Sequence, residues 1–147
     1  IEFRKKEGES LRAVFMEKLV NIRELLSQVD PFEKERVEKI KQRIQEQLVA
    51  LKDIDYDKNR FEQEMIYYIE KLDVNEEKNR LRQHLSYFEE TMNMEGASGK
   101  KMGFIAQEIG REINTLGSKS NHSEMQKIVV KMKDELEQIK EQVLNVL

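Results

Sequence analysis

The sequence of 147 residues contains no cysteine and no tryptophan, and it contains a single proline. Without cysteine the chain forms no disulfide and offers no thiolate to a metal ion. No apolar run approaches the ~20 residues that span a bilayer, and no signal peptide is recognisable. We therefore expect a cytoplasmic protein that has no membrane partner.

The charge of the chain is nearly balanced. Lys and Arg contribute 26 residues, Asp and Glu contribute 29, and the net charge is −3. A chain of this charge is not drawn to nucleic acid by its overall field. A site for nucleic acid would therefore be a local basic patch, or a surface that several chains form together.

Apolar residues recur at helical spacing along most of the chain. This pattern predicts an all-α fold of about five helices, in which an antiparallel helical hairpin (residues 1–52) precedes a small helical bundle (residues 53–147). The two helices of the hairpin are predicted to meet at Asp30 and Pro31, with Asp30 as the N-cap and Pro31 in the first turn. Long hairpins with thin cores commonly complete their burial in an oligomer.

The later helix boundaries are predicted from polar stretches and capping residues. Residues 73–79 are polar and predict an interruption, and Ser98 is a suitable N-cap after the loop that precedes it. Gly117 predicts a helix C-terminus. Asn121 and Glu124 have the spacing of a capping box for the last helix.

An acidic stretch in the middle of the chain has the spacing of a calcium loop. Asp53, Asp55 and Asp57 alternate, and Glu64 follows at the twelfth position. Calcium loops of this type need glycine at their sixth position, and this chain has Lys58. A solvated loop with Asp57 as a helix cap is therefore favoured.

His84 is one of two histidines in the chain and follows two nearby arginines. Arg80 and Arg82 carry bidentate donors that suit phosphodiester oxygens. Because a single histidine on a helix is commonly a boundary residue, two interpretations remain open: a functional group beside a phosphate-attracting surface, and a surface side chain.

The densest group of polar residues spans 107–121. Glu108 and Glu112 lie one helical turn apart, which is a spacing that holds a divalent cation together with water. Arg111 and Lys119 are suited to phosphates. Neutral donors for sugar or phosphate oxygens come from Asn114, Thr115, Ser118 and Asn121. The alternative is an ordinary salt-bridged helix end followed by a Gly/Ser turn.

The sequence from about Gln63 onwards resembles the YicC family of endoribonucleases. Residues 80–85 match the family's R-L-R-x-H-L, and residues 107–119 match its signature Q-E-x-x-R-E-x-N-T-x-G-S-K. Residues 130–145 resemble its closing helix, whereas the residues before Asp53 match more loosely. We expect a fragment from which the family's N-terminal domain is absent. Gly103 stands where the family usually has an acidic residue.

The resemblance implies a bacterial endoribonuclease that hydrolyses RNA with Mn²⁺ or Mg²⁺ and works as a homo-oligomer, a hexamer in the full-length protein. We interpret His84, Glu108 and Glu112 as catalytic residues. The predicted metal ligands are Glu108, Glu112 and Glu64. The predicted RNA-binding residues are Arg82, Arg111, Asn114, Thr115, Ser118 and Lys119.

Two other functions remain open from the sequence. One is a non-catalytic RNA-binding clamp, which would hold RNA without cutting it. The other is a helical oligomerisation module that makes no contact with RNA.

Overall fold

The computed structural model describes residues 2–50, 60, 62–64, 66–67, 73–94, 96–120 and 122–146. The predicted all-α fold is confirmed, and the described residues contain no strand. Residues 60, 62–64 and 66–67 are helical. The helices with defined ends are α1 (Glu2–Ala50), α2 (Asn75–Met92), α3 (Gly99–Lys119) and α4 (Ser123–Val143). The predicted boundary after residue 52, and the acidic loop at 53–57, lie outside this described part of the chain.

The predicted break at Asp30 and Pro31 is wrong, and with it the helical hairpin. A single helix, α1, runs for 49 residues with Pro31 in its interior. An interior proline removes one backbone hydrogen bond and costs about 3 kcal/mol or more. Contacts with other helices must therefore hold the two halves of α1 in line.

Three such contacts lie around the proline. Asp30 pairs with Lys78 of α2 instead of capping a helix. The ring of Phe32 lies 5.3 Å from that of His122, measured between centroids. One turn further on, Arg36 is buried and donates to the backbone carbonyl of Lys119 at 2.8 Å, while the carboxylate of Glu33 binds the same guanidinium.

The core lies where α4 packs between α1 and α3, and α2 closes it against α3. Each helix turns an apolar stripe inward, which is the arrangement that buries amphipathic helices most completely. The largest fully buried side chains are Phe15, Phe88, Leu19, Ile22, Leu26, Leu81, Leu85, Met102, Ile109, Ile113, Leu116 and Met125.

The turns on either side of α2 agree with the boundaries predicted from the sequence. The predicted interruption is confirmed, because residues 73–74 are not helical and α2 begins at Asn75. The predicted cap is also confirmed: the hydroxyl of Ser98 accepts a hydrogen bond from the backbone N–H of Lys101 at 3.1 Å.

The turn between α3 and α4 is tighter than predicted. Gly117 is not the C-terminus of α3, because the helix continues to Lys119. Its C-cap is Ser120, whose hydroxyl donates to the carbonyl of Leu116. Asn121 is outside the described residues. The N-cap of α4 is His122, not Asn121, and its Nδ1 accepts a hydrogen bond from the N–H of Glu124.

Glycines let α3 approach α4 closely. Gly103, Gly110 and Gly117 recur every seven residues on the side of α3 that faces α4. A Cβ on Gly110 would lie 3.1 Å from Leu136, and a Cβ on Gly117 would lie 3.0 Å from Val129. Gly117 is therefore a packing residue, not a cap.

We expect Gly117→Ala to lower the free energy of unfolding by about 1 kcal/mol. Overpacking against the stiff, buried Val129 costs about 1–3 kcal/mol, and better helix propensity returns about 1 kcal/mol. Gly8→Ala is the matched control, because nothing lies within 4 Å of its added methyl group and it should stabilise the protein by up to about 1 kcal/mol. Urea unfolding followed by circular dichroism measures both, and equal stabilisation would contradict this packing role.

Candidate active site between helices α2 and α3

A buried carboxylate joins the start of α2 to the end of α3. Glu77 is 2% exposed, and its Oε1 accepts a hydrogen bond from the ammonium group of Lys119 at 2.6 Å. The same ammonium lies 3.3 Å from the backbone carbonyl of Asp73. A buried carboxylate is costly unless it is paired and hydrogen-bonded, and the contact with Lys119 offsets this cost for Glu77.

Arg80 extends the pair along the helix interface. Its Nη2 lies 3.8 Å from Glu77 Oε1, and its Nε lies 3.3 Å from Oε1 of Glu112, a buried residue of α3. Its Nη1 pairs with the exposed Glu76 at 3.0 Å. Because Glu112 and Lys119 are two turns apart on α3, and Glu77 and Arg80 one turn apart on α2, the four side chains meet between antiparallel helices.

His84 completes the network at its solvent edge. Its Nε2 lies 3.9 Å from Glu112 Oε1, and the imidazole is 27% exposed whereas the Glu112 carboxylate is 8% exposed. This is an accessible imidazole beside a buried carboxylate. Such a pair is suited to proton transfer. We call Glu77, Arg80, His84, Glu112 and Lys119 the α2–α3 network.

Two buried polar atoms of this network have no hydrogen-bond partner among the described residues. They are Oε2 of Glu77 and Nε of Arg80, whose approach to Glu112 does not have hydrogen-bond geometry. Most buried polar groups in proteins are hydrogen-bonded. The network therefore keeps hydrogen-bonding capacity that the surrounding side chains leave unused.

The structure brings together three of the residues predicted from the sequence: His84, Glu112 and Lys119. Glu108 does not join them, because it lies exposed one turn before Glu112. Glu64 pairs with Arg60 on its own helical turn at 3.5 Å. Glu108, Glu112 and Lys119 therefore do not converge on one open spot, since Glu112 and Lys119 are held in ion pairs with α2.

The other predicted RNA-binding residues line the outer side of the helices. Arg82, Arg111, Asn114 and Ser118 are exposed, and Thr115 is half-buried. The hydroxyl groups of Thr115 and Ser118 donate to backbone carbonyls of their own helix. Arg111 is thus the cation of α3 that is presented most openly beside the network.

The metal prediction concerns Glu108, Glu112 and Glu64. Among the residues that the structure describes, no three His, Asp or Glu side chains are grouped so that they could hold a metal ion. Glu108, Glu112 and Glu64 therefore do not form a ligand set by themselves. Their role as metal ligands stays a prediction.

The sequence did not predict that Glu77 belongs to the site. It predicted Arg80 only as a hydrogen-bond donor to phosphate. Glu77 lies four residues before Leu81, where the apolar stripe of α2 would place its next hydrophobic residue. A carboxylate at a core position is rarely buried unless it is paired, so this position was the available signal. Its partner Lys119 is 42 residues away in sequence and was not predictable from spacing.

These features define an all-helical domain with an ionisable network between two antiparallel helices. The chain belongs to the family described as endoribonuclease YicC-like, C-terminal, whose model matches residues 29–147. It is 30% identical to a probable endoribonuclease YicC of Clostridioides difficile (strain 630) and 33% identical to a probable endoribonuclease YicC of Haemophilus influenzae (strain ATCC 51907 / DSM 11121 / KW20 / Rd). Each alignment covers 99% of this chain and 50% of the relative, so the chain spans about half the length of the curated relatives it matches.

We expect Lys119→Met to destabilise the protein by about 2–3 kcal/mol, because it leaves the buried Glu77 carboxylate without its closest cation. Lys127→Met is the matched control. It breaks an exposed pair with Glu124 and should change stability by less than about 1 kcal/mol. Adding Glu77→Leu to Lys119→Met should restore part of the loss. Urea unfolding measures all four proteins, and equal effects of the two lysine variants would contradict the buried pair.

Proposed function

We propose that this chain is part of an endoribonuclease that hydrolyses RNA phosphodiester bonds, and that the α2–α3 network is its proton-transferring and phosphate-holding site. The observation that carries this proposal is the His84–Glu112 pair, an accessible imidazole beside a buried carboxylate. The family described above, and the printed names of its members, support the reaction class.

Hydrolysis needs two proton movements, and the network holds one group suited to both. As a water oxygen bonds to phosphorus and the bond to the leaving ribose oxygen breaks, one proton leaves the water and one reaches the leaving oxygen. His84 is placed to take or give such a proton. Glu112 lies 3.9 Å from the ring and would orient it, as carboxylates do for catalytic histidines.

Cations around the pair supply the attraction for phosphate. Arg80 is partly exposed, with 43% of its side chain accessible, and Arg111 is exposed one residue before Glu112. Guanidinium groups bind phosphate oxygens with two parallel hydrogen bonds. A strand that crosses the α2–α3 face would therefore have cations on both sides of His84.

A divalent ion, Mn²⁺ or Mg²⁺, is a further part of this proposal. Mg²⁺ is commonly held by one or two carboxylates together with substrate phosphate and water. Glu112 or the exposed Glu108 would then suffice without a third protein ligand. When bound, such an ion would polarise the phosphodiester.

The oligomeric state and the cellular location are also part of the proposal. The homo-oligomer, the hexamer of the full-length protein and the bacterial cytoplasm follow from the family resemblance alone. In the described part of the chain, no helix is both long and apolar enough to cross a bilayer.

An RNA-binding clamp is the second candidate function. It is favoured by the pairing of Glu112 with Arg80 and of Lys119 with Glu77, because groups held in ion pairs are less available for chemistry. Arg82 and Arg111 remain exposed and would still hold RNA.

We expect His84→Gln and Glu112→Gln each to lower the rate of RNA cleavage by about a hundredfold or more. Glu137→Gln is the control, because its carboxylate forms a surface pair with Lys140 on α4. The assay follows labelled RNA with Mn²⁺, Mg²⁺ or EDTA, and Glu108→Gln tests the metal by its response to ion concentration. Cleavage at the wild-type rate by either network variant would remove the pair from the active site. RNA binding by the wild-type protein without cleavage would establish the clamp instead.

We expect Arg111→Ala to weaken RNA binding and to reduce its dependence on salt. Each phosphate contact on a single strand contributes about 0.7 to the slope of log affinity against log salt concentration, so the slope should fall by about that amount. Lys133→Ala removes an exposed cation of α4 and is the control. An unchanged slope in Arg111→Ala would show that Arg111 does not contact phosphate.

A further inference from the structure

Two aromatic rings lie exposed on the face formed by α2 and α3. Tyr87 is 42% exposed and Phe104 is 62% exposed. By contrast, Phe15 and Phe88 are fully buried and pack edge to face in the core. Large aromatic side chains dominate cores and interfaces because they bury so much area, so two open rings on one surface are a feature that the fold itself does not require.

A lysine contacts one of these rings. The ammonium group of Lys101 lies 5.4 Å from the centroid of the Tyr87 ring, within the range of a cation–π contact. Lys101 and Phe104 are three residues apart on α3, so their side chains project from the same face of the helix. We call Tyr87, Lys101 and Phe104 the aromatic platform.

The platform lies at the end of the network where the imidazole reaches solvent. Tyr87 follows His84 by three residues on α2, about 4.5 Å along the helix axis. Phe104 precedes Glu112 by two turns on α3, and the exposed Glu108 lies between them. A nucleotide held on the platform would therefore place the neighbouring phosphate near His84.

We propose that the aromatic platform binds unpaired bases of single-stranded RNA by stacking on Tyr87 and Phe104. Aromatic side chains next to cations are the usual means of holding single strands without sequence readout. Lys101 would fix the Tyr87 ring and attract the adjoining phosphate. This proposal rests on the proposed function, because it assumes that RNA crosses the α2–α3 face.

The surroundings of Tyr87 favour a base over a second copy of the chain. A shallow depression beside the ring is lined otherwise by Arg82, Gln83, Ser86 and Glu90. The cores of protein interfaces are depleted in charged residues, whereas a stacked base needs only one ring and tolerates polar groups at its edges. Isolated rings among polar side chains therefore match a nucleic-acid strand.

The direct test compares RNA with an abasic strand of the same length. We expect Tyr87→Ala and Phe104→Ala each to weaken binding of a short oligoadenylate by about tenfold, since stacking contributes on this scale per base. Binding of the abasic strand should not change. Anisotropy titrations in EDTA separate binding from cleavage. Val130→Ala removes an exposed apolar side chain of α4 and should change neither affinity.

A fluorescence measurement reports stacking itself. The chain contains no tryptophan, so Tyr87→Trp introduces a single reporter that keeps an aromatic ring on the platform. We expect oligoadenylate to quench its emission and the abasic strand to leave the emission unchanged. Equal quenching by both strands would contradict stacking.

Two outcomes separate this proposal from the proposed function. If Tyr87→Ala and Phe104→Ala bind and cleave RNA like the wild type, the platform is overturned and the endoribonuclease stands. If these variants lose an assembled state in sedimentation while RNA affinity is unchanged, the rings belong to a contact between copies and the platform is overturned. If the wild-type protein binds no RNA even at low salt, both proposals fail.

Discussion

Lys119 is the residue on which the rest of the structure depends, because it joins three helices at one point. Its ammonium group neutralises the buried Glu77 of α2, and its backbone carbonyl accepts a hydrogen bond from the buried Arg36 of α1. It ends α3 itself. The contact with Arg36 lies just past Pro31, so the same residue steadies α1 beyond its proline and fixes the start of the α2–α3 network.

The network shows how a small helical domain keeps carboxylates away from water. Glu77 and Glu112 would each be costly to bury alone, and Arg80 lies between them while Lys119 pairs with the first. Arg80, His84 and Lys119 are its partly exposed members. The buried carboxylates therefore determine where the accessible imidazole of His84 lies. At the surface near the same end of α3, a hydrogen bond from Lys39 and its charge lower the pKa of Glu35, and His122 adds to the effect.

The sequence predicted the helix boundaries that neighbouring residues determine. It did not predict those that depend on contacts between residues far apart in the chain. The cap at Ser98 and the interruption before Asn75 follow from residues within one turn. Pro31 has the same local signal as a helix start, but contacts with Lys78 and Lys119 on either side of it override that preference. Gly117 has the signal of a helix end. Its lack of a side chain instead allows Val129 of α4 to pack closely against α3. In the candidate site, the sequence predicted His84, Glu112 and Lys119 from their residue types and spacing. It did not predict Glu77 or the ion pairs between helices, because these depend on the fold.

In the proposed mechanism His84 and Glu112 are one functional unit, and a double-mutant cycle on single-turnover RNA cleavage tests this most directly. Groups that act as a unit have strongly non-additive effects on rate. We predict that combining His84→Gln with Glu112→Gln slows cleavage no more than about twofold beyond the slower single variant, with RNA affinity unchanged. Rate losses that multiply, or a loss of affinity with an unchanged rate, would contradict it.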